Sequence, residues 1–166
     1  MDTGIKVDIS GLLNKSQRAQ MLLASGDLIK AVGQRQLKWI DDNFRSHGAS
    51  VGGWKPLSPF TLEHRKHGGN APLQDTGTLR ASFNARVIGS DTVKVGSPLP
   101  FASYHEQGTG PIFPINAKML AIPGPHGVSF LRKTAGIPKR RMLPDIRIAK
   151  ELAISIIQAR VKQLEV

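Results

Sequence analysis

Chemistry needs side chains of the right type at the right spacing, and this chain offers few. His64 and His67 stand three apart, so on a helix they would share a face. Such a pair can join a metal site, but the site needs further ligands. The nearby carboxylate, Glu63, would point elsewhere, so a basic turn facing solvent is the expectation. His105 and Glu106 form a second pair, within Tyr104-His105-Glu106-Gln107-Gly108. An imidazole beside a carboxylate suits acid–base work. Adjacent side chains diverge on a helix or a strand, however, and such a His more often makes a structural hydrogen bond.

The rest of the catalytic repertoire is thin. The chain has no Cys, which excludes disulfides, thiolate zinc sites and a Cys nucleophile. Gly52-Gly53 and Gly68-Gly69 lack the strand–loop–helix context and the Lys-Ser/Thr ending of a phosphate loop. There is no Gly-x-Ser-x-Gly elbow. The 12 acidic residues form none of the interleaved sets that bind Mg²⁺ or Ca²⁺. The sequence therefore predicts no catalytic residue, no metal, no cofactor and no enzyme.

Charge is the strongest compositional signal. Lys and Arg number 23, and the net charge is +11. Such a field attracts nucleic acid, acidic proteins or anionic membrane. The densest clusters are His64-Arg65-Lys66-His67 and Arg132-Lys133 with Lys139-Arg140-Arg141. Charge runs usually face water, and that is the expectation for both. Helix-turn-helix, RRM and zinc-finger patterns are missing. A single Tyr and dispersed Phe make a poor base-stacking platform. No stretch approaches 18 consecutive apolar residues, and MDTGIKVDIS lacks the blocks of a signal peptide, so no membrane role is expected.

The elements that must position these groups follow from periodicity. A length of 166 residues suits a single domain, 1–166. Residues 1–26 read as a helical extension, with 11–24 helix-permissive. Ser25-Gly26-Asp27 interrupts, and Asp27 is placed to cap a helix over 28–45. Leu28, Ala31, Val32, Trp39, Ile40 and Phe44 share its apolar face. Residues 48–75 are rich in Gly, Pro and Ser and read as a long loop. It holds one short helix near 59–66, capped by Ser58 with Pro59 at its first position. Residues 76–88 end in a strand, Gly89-Ser90-Asp91 turns, and 92–96 returns as a hairpin partner. A short helix over 101–107 precedes Gly108, and 119–123 with 127–133 forms a second hairpin. The last helix spans 145–165 with Asp145 at its N-cap. Ile146, Ile148, Ala149, Leu152, Ala153, Ile156, Ile157 and Val161 give it an apolar arc wider than one sheet requires. Either the N-terminal helices or a neighbouring subunit covers the second side. The expected class is α+β. N-terminal helices and a long C-terminal helix pack on a small, mainly antiparallel sheet, with long loops.

The middle of the chain carries an ordered set of short motifs. They are Trp54-Lys55-Pro56-Leu57-Ser58 with Thr61, then Leu73, then Thr76-Gly77-Thr78-Leu79-Arg80 with Ser82. Val95-Gly96-Ser97, Phe101-Ala102 and Tyr104-His105-Glu106-Gln107-Gly108 follow, then Gly136-Ile137-Pro138-Lys139-Arg140 with Leu143. Over roughly 40–165 this order resembles the phage virion morphogenesis family of tail completion proteins. The family's final motif usually reads Pro-Ala-Arg-Pro-Phe-Leu. Pro138-Lys139-Arg140-Arg141-Met142-Leu143 is more basic, and 112–133 is longer than in compact members.

The resemblance implies a non-enzymatic assembly protein of the virion. It implies a ring of identical subunits, commonly hexameric, at the neck or head-proximal tail end. The implied partners are a head connector or stopper and a tail tube or terminator, with assembly in the host cytoplasm. A basic nucleic-acid-binding phage protein is the alternative. Trp54, Arg132, Lys133, Lys139, Arg140, Arg141, Ile157 and Val161 are the interface candidates. For Trp54 a local core plug competes with an anchor on a neighbour, and the plug is favoured. Pro138 and Arg140 either place a basic loop against an adjacent ring or simply enter the last helix rigidly. The charge could line a DNA passage, but a tight grip would hinder ejection, so it should mainly meet partners. The segments 48–75 and 109–118 are candidates for folding on assembly.

Overall fold

The computed structural model describes residues 3–8, 17, 25–65, 67, 69–89, 91–124 and 126–164. The helix-permissive stretch 11–24 lies outside these apart from Gln17, as do Lys66, Gly68, Ser90 and Pro125. In chain order the elements are β1 (Thr3–Asp8), α1 (Ser25–Arg45), a 3-10 turn (Ala49–Val51), α2 (Pro59–His64), α3 (Thr78–Ala81), β2 (Asn84–Ile88), β3 (Thr92–Ser97), α4 (Pro100–Gln107), β4 (Leu120–Gly124), β5 (Gly127–Leu131) and α5 (Ile146–Leu164). The class is α+β, with a long C-terminal helix and small antiparallel sheets, as expected. The strands form two sheets rather than one: a three-stranded sheet, β1-β3-β2, and the separate β4–β5 hairpin.

The chain divides into two compact units. The sheet unit comprises Asp2–Asp42, Phe83–Pro98 and Leu143–Val166; the loop unit comprises Asn43–Ser82 and Leu99–Met142.

In the sheet unit, β3 is central and antiparallel to both neighbours. Its alternation puts Val93 and Val95 on the buried face, joined by Val7 from β1. β1 corrects the expectation of helix for Thr3–Asp8 alone, since 11–24 lies outside the described residues apart from Gln17. Thr3–Asp8 is too short and too weakly apolar to announce itself, and becomes a strand because β3 offers it a free edge. Helix α1 already runs at Ser25, so Asp27 lies in its first turn instead of capping it, and pairs with Lys30 at 3.8 Å. A carboxylate there still complements the helix dipole. Leu28, Val32 and Ile40 are buried, while Ala31 and Trp39 are half-buried. Gly33 lets α1 approach the sheet, since a Cβ there would lie 2.9 Å from that of Ala85. Asp145 caps α5, its Oδ1 accepting from the Ile148 amide at 2.9 Å. Helix α5 packs on β1 and is tied to α1, where buried Gln36 donates to the Ala149 carbonyl at 2.8 Å. Ala149, Ala153 and Ile157 are buried; Ile148, Leu152, Ile156 and Val161 are half-buried. Within this unit α1 thus covers part of the second side of the wide arc, and Ile146 stays exposed.

In the loop unit, the segment after α1 is held by main-chain bonds. The amides of Gly48 and Gly53 donate to the carbonyls of Asn43 and Gly48, both at 2.8 Å. Ser58 Oγ caps α2 by accepting from the Thr61 amide at 3.2 Å, with Pro59 in the first turn, as its sequence predicts. Helix α2 packs under β4. Leu79 of α3 is buried, and Ser82 Oγ closes that turn on the Leu79 carbonyl at 2.7 Å.

Candidate functional site

Three of the motifs, around Trp54–Pro56, His105–Gly108 and Pro138–Arg140, converge on one knot in the loop unit. Trp54 is 8% exposed and meets Phe44 edge-on at 5.1 Å. Its indole Nε1–H donates to the Arg141 carbonyl at 2.8 Å, and its amide donates to the His47 carbonyl at 2.8 Å. A buried indole needs such an acceptor. Gly48 lies against the same ring, where a Cβ would collide with it. Trp54 is therefore a core plug of its own chain, the first of its two readings.

Arg140 is only 5% exposed. Its Nε donates to the Lys55 carbonyl at 2.9 Å and Nη2 to the Pro56 carbonyl at 3.3 Å. Its amide donates to the His105 carbonyl at 2.7 Å. One side chain thus fastens Lys55–Pro56 to the segment around Pro138–Met142, and its backbone adds the His105–Gly108 motif. The planar guanidinium fork suits this double role, which a Lys could not reproduce. Arg140 was expected on a solvated basic loop, and its fork instead serves the fold from inside. Thr109 completes the knot: its amide donates to the Ile137 carbonyl at 2.8 Å, and its Oγ1 accepts from the Ile137 amide at 2.8 Å.

The groups that might have done acid–base chemistry are absorbed here. Glu106 Oε2 accepts from the Met142 amide at 2.6 Å. His105 is half-buried, and its Nδ1 has no hydrogen-bond partner. Burial, and then the Arg140 charge, hold this imidazole below its ordinary pKa. Burial also lowers Arg140, which starts high enough to stay charged. His105 and Glu106 diverge, as adjacent residues should.

The other His pair is structural too. His64 stacks on Phe60 with ring centroids 3.9 Å apart. Its Nδ1 lies 2.8 Å from the Phe60 carbonyl and Nε2 2.7 Å from the Ser129 hydroxyl. A neutral ring satisfies both contacts, donating to the carbonyl and accepting from the hydroxyl. The cluster 64–67 was expected to face water, but the Arg65 side chain is 7% exposed. Arg65 Nη1 donates to the carbonyls of Gly69 at 3.0 Å and Ala71 at 3.1 Å, with Asp75 3.5 Å from Nε. Asp75 also accepts from the His67 amide at 3.2 Å. The loop carbonyls turned inward and needed a cation, which sequence spacing alone does not reveal. No group of three or more potential metal ligands occurs among the described residues.

The remaining sites fall elsewhere. Pro56 and Ser58 are exposed, while Leu57 and Pro138 are half-buried around the knot. Thr76 and Gly77 start α3 locally, Thr76 Oγ1 accepting from the Thr78 amide at 3.3 Å. Gly96 and Ser97 are buried in β3, and Leu143, Ile157 and Val161 also belong to the sheet unit. Arg132, Lys133 and Lys139 are exposed and Arg141 is half-buried.

One surface of the loop unit was not foreseen. Register places Ala121, Pro123, Val128 and Phe130 on one face of the β4–β5 hairpin, and all four are exposed. The opposite face carries Leu120, Ile122, Ser129 and Leu131, each partly covered. The hairpin was legible in the sequence, but both its faces are apolar, so sequence could not tell which one the chain covers.

The motif order points to a known family. The model of the phage virion morphogenesis family matches residues 7–162. The chain belongs to that family. Neither the curated proteins nor the solved structures hold a match to it. As a member of the phage virion morphogenesis family it is a structural and assembly protein associated with the virion. No helix among the described residues is long and apolar enough to cross a membrane.

Proposed function

We propose that this chain is a non-enzymatic tail completion subunit. It forms an oligomeric ring, commonly hexameric in such proteins, at the neck and joins the finished tail to the head connector. The observation that carries this reading is the family match across nearly the whole chain. Its support in the residues is that His64, Arg65, Glu106 and Arg140 all serve the fold, leaving a scaffold with an apolar outer face. The test is loss of the gene from the phage that carries it, followed by electron microscopy of the lysate. Filled heads and full-length tails should accumulate apart and join when the chain is supplied in trans. Joined particles in its absence would sink the proposal.

A basic nucleic-acid-binding protein is the second reading, and one observation favours it. Lys6 pairs with Lys94 and Lys94 with Arg86, so three cations lie in register across one face of the β1-β3-β2 sheet. Like charges directly opposed destabilise a sheet, and a polyanion would relieve them. A duplex binder making about 6–10 phosphate contacts should lose about 10³–10⁵-fold in affinity between about 50 and about 200 mM salt. Binding to duplex DNA that fails to show this slope removes the reading.

A further inference from the structure

We infer that the outer face of the β4–β5 hairpin, with the adjoining segment 112–119, docks an acidic surface of another virion protein, not a second copy of this chain. This rests on the assembly role proposed above and names one partner surface within it.

The apolar exposure is concentrated there. Ile112, Phe113, Ile115, Met119, Val128 and Phe130 are all at least 40% exposed, with Phe130 at 60% and Ile115 at 94%. They are continuous along the chain: Ile112 bridges to Thr134, extending the hairpin toward the 112–119 segment. Patches of this kind mark interaction sites more than chance exposure. A two-stranded hairpin is also marginal alone. Its inner face is secured by α2, with the His64 ring against Gly124 and bonded to Ser129. Its outer face is covered by no residue of the described chain sufficiently to bury it. Pro123 lacks an amide donor, which disfavours extending β4 by strand addition, so the face is the docking element rather than the edge.

Charge selects the occupant. The loop unit holds eleven Lys and Arg residues against three acids, Glu63, Asp75 and Glu106. Asp75 and Glu106 are already engaged inside that unit. The patch itself is rimmed by exposed Lys118, Arg132 and Lys133. The sheet unit is also net positive, with twelve basic residues against nine acids. Both units of a second copy are net positive, so charge favours an acidic partner over self-association at this face. An apolar centre with a cationic rim matches a surface with an apolar ridge and carboxylates around it. DNA offers the charge but nothing to cover Phe130 and Val128.

The test uses the full chain in cells assembling phage. A photo-crosslinking phenylalanine analogue replaces Phe130, and another replaces Gln158, an exposed polar residue of α5, as control. The Phe130 adduct should be with a different structural protein, through a segment rich in Asp and Glu, and the control should not share it. Arg132→Glu with Lys133→Glu should cut the adduct at least tenfold without changing the protein's melting temperature. Reversing the facing acids of the partner should restore it. An adduct of the chain with itself, an adduct with DNA, or no adduct while virions form would overturn the inference. So would an adduct that survives charge reversal. The neck reading fails separately: particles that join without the gene refute it whatever Phe130 contacts.

Discussion

The Trp54 plug makes a quantitative prediction through Gly48. Gly48 sits at φ +83, in the left-handed region, with its Cα against the Trp54 indole. Gly48→Ala therefore carries two costs. The left-handed backbone costs an L residue about 1–2 kcal/mol. Forcing a methyl into the packed ring adds about 1–3 kcal/mol. Reduced freedom of the unfolded chain returns about 0.4–1 kcal/mol. The net loss should be about 1–5 kcal/mol. Gly52→Ala is the control: its φ is +91, but nothing lies within 4 Å of the added Cβ. It bears the backbone cost alone, so the difference between the two variants isolates the packing against Trp54. Urea unfolding followed by Trp fluorescence in a Trp39→Phe background reports on Trp54 in its own unit. Gly48→Ala should be less stable than Gly52→Ala by about 1–3 kcal/mol. Equal midpoints for the two variants would refute the plug as described.

Three further outcomes follow from the same geometry. Arg140→Lys should destabilise the loop unit by about 1–3 kcal/mol, because an ammonium lacks the rigid fork that aims Nε at the Lys55 carbonyl and Nη2 at that of Pro56; thermal unfolding measures it. His105 has a lowered pKa when folded, so the unfolded chain binds its proton first as pH falls. Its contribution is fully present above the unfolded value of about 6.5 and is lost as pH drops from there toward the folded value. His105→Gln should flatten the slope of urea midpoint against pH in that window, and an unchanged slope would reject this assignment. Asp145→Ala should cost about 0.5–2 kcal/mol by removing the α5 cap, whereas Asp145→Asn should cost much less, as read by circular dichroism on melting.

Much of this molecule is local enough to be legible from residue order. Asp145, Ser58 and Pro59 announce their helices because a cap acts within one turn. The two hairpins follow from alternation around Gly89 and Gly127, since their partners are close in sequence. The absence of Cys and the scarcity of carboxylates argued against catalysis before any coordinate, and the motif order from Trp54 to Leu143 pointed to the family that the match over residues 7–162 shows.

Tertiary structure alone decided what depends on distant partners. Thr3–Asp8 has two apolar residues, and only the free edge of β3, nearly ninety residues away, makes it a strand. Arg65 and Arg140 read as surface charge, because a sequence does not show which carbonyls a loop turns inward. Trp54 was an ambiguous aromatic in a Gly-rich loop until Phe44, Gly48 and the Arg141 carbonyl closed around it. The β4–β5 hairpin is apolar on both faces, and only packing against α2 settles which face stays exposed. Caps, turns and alternation act within a few residues and are written in sequence. Burial is a property of what arrives from elsewhere in the chain.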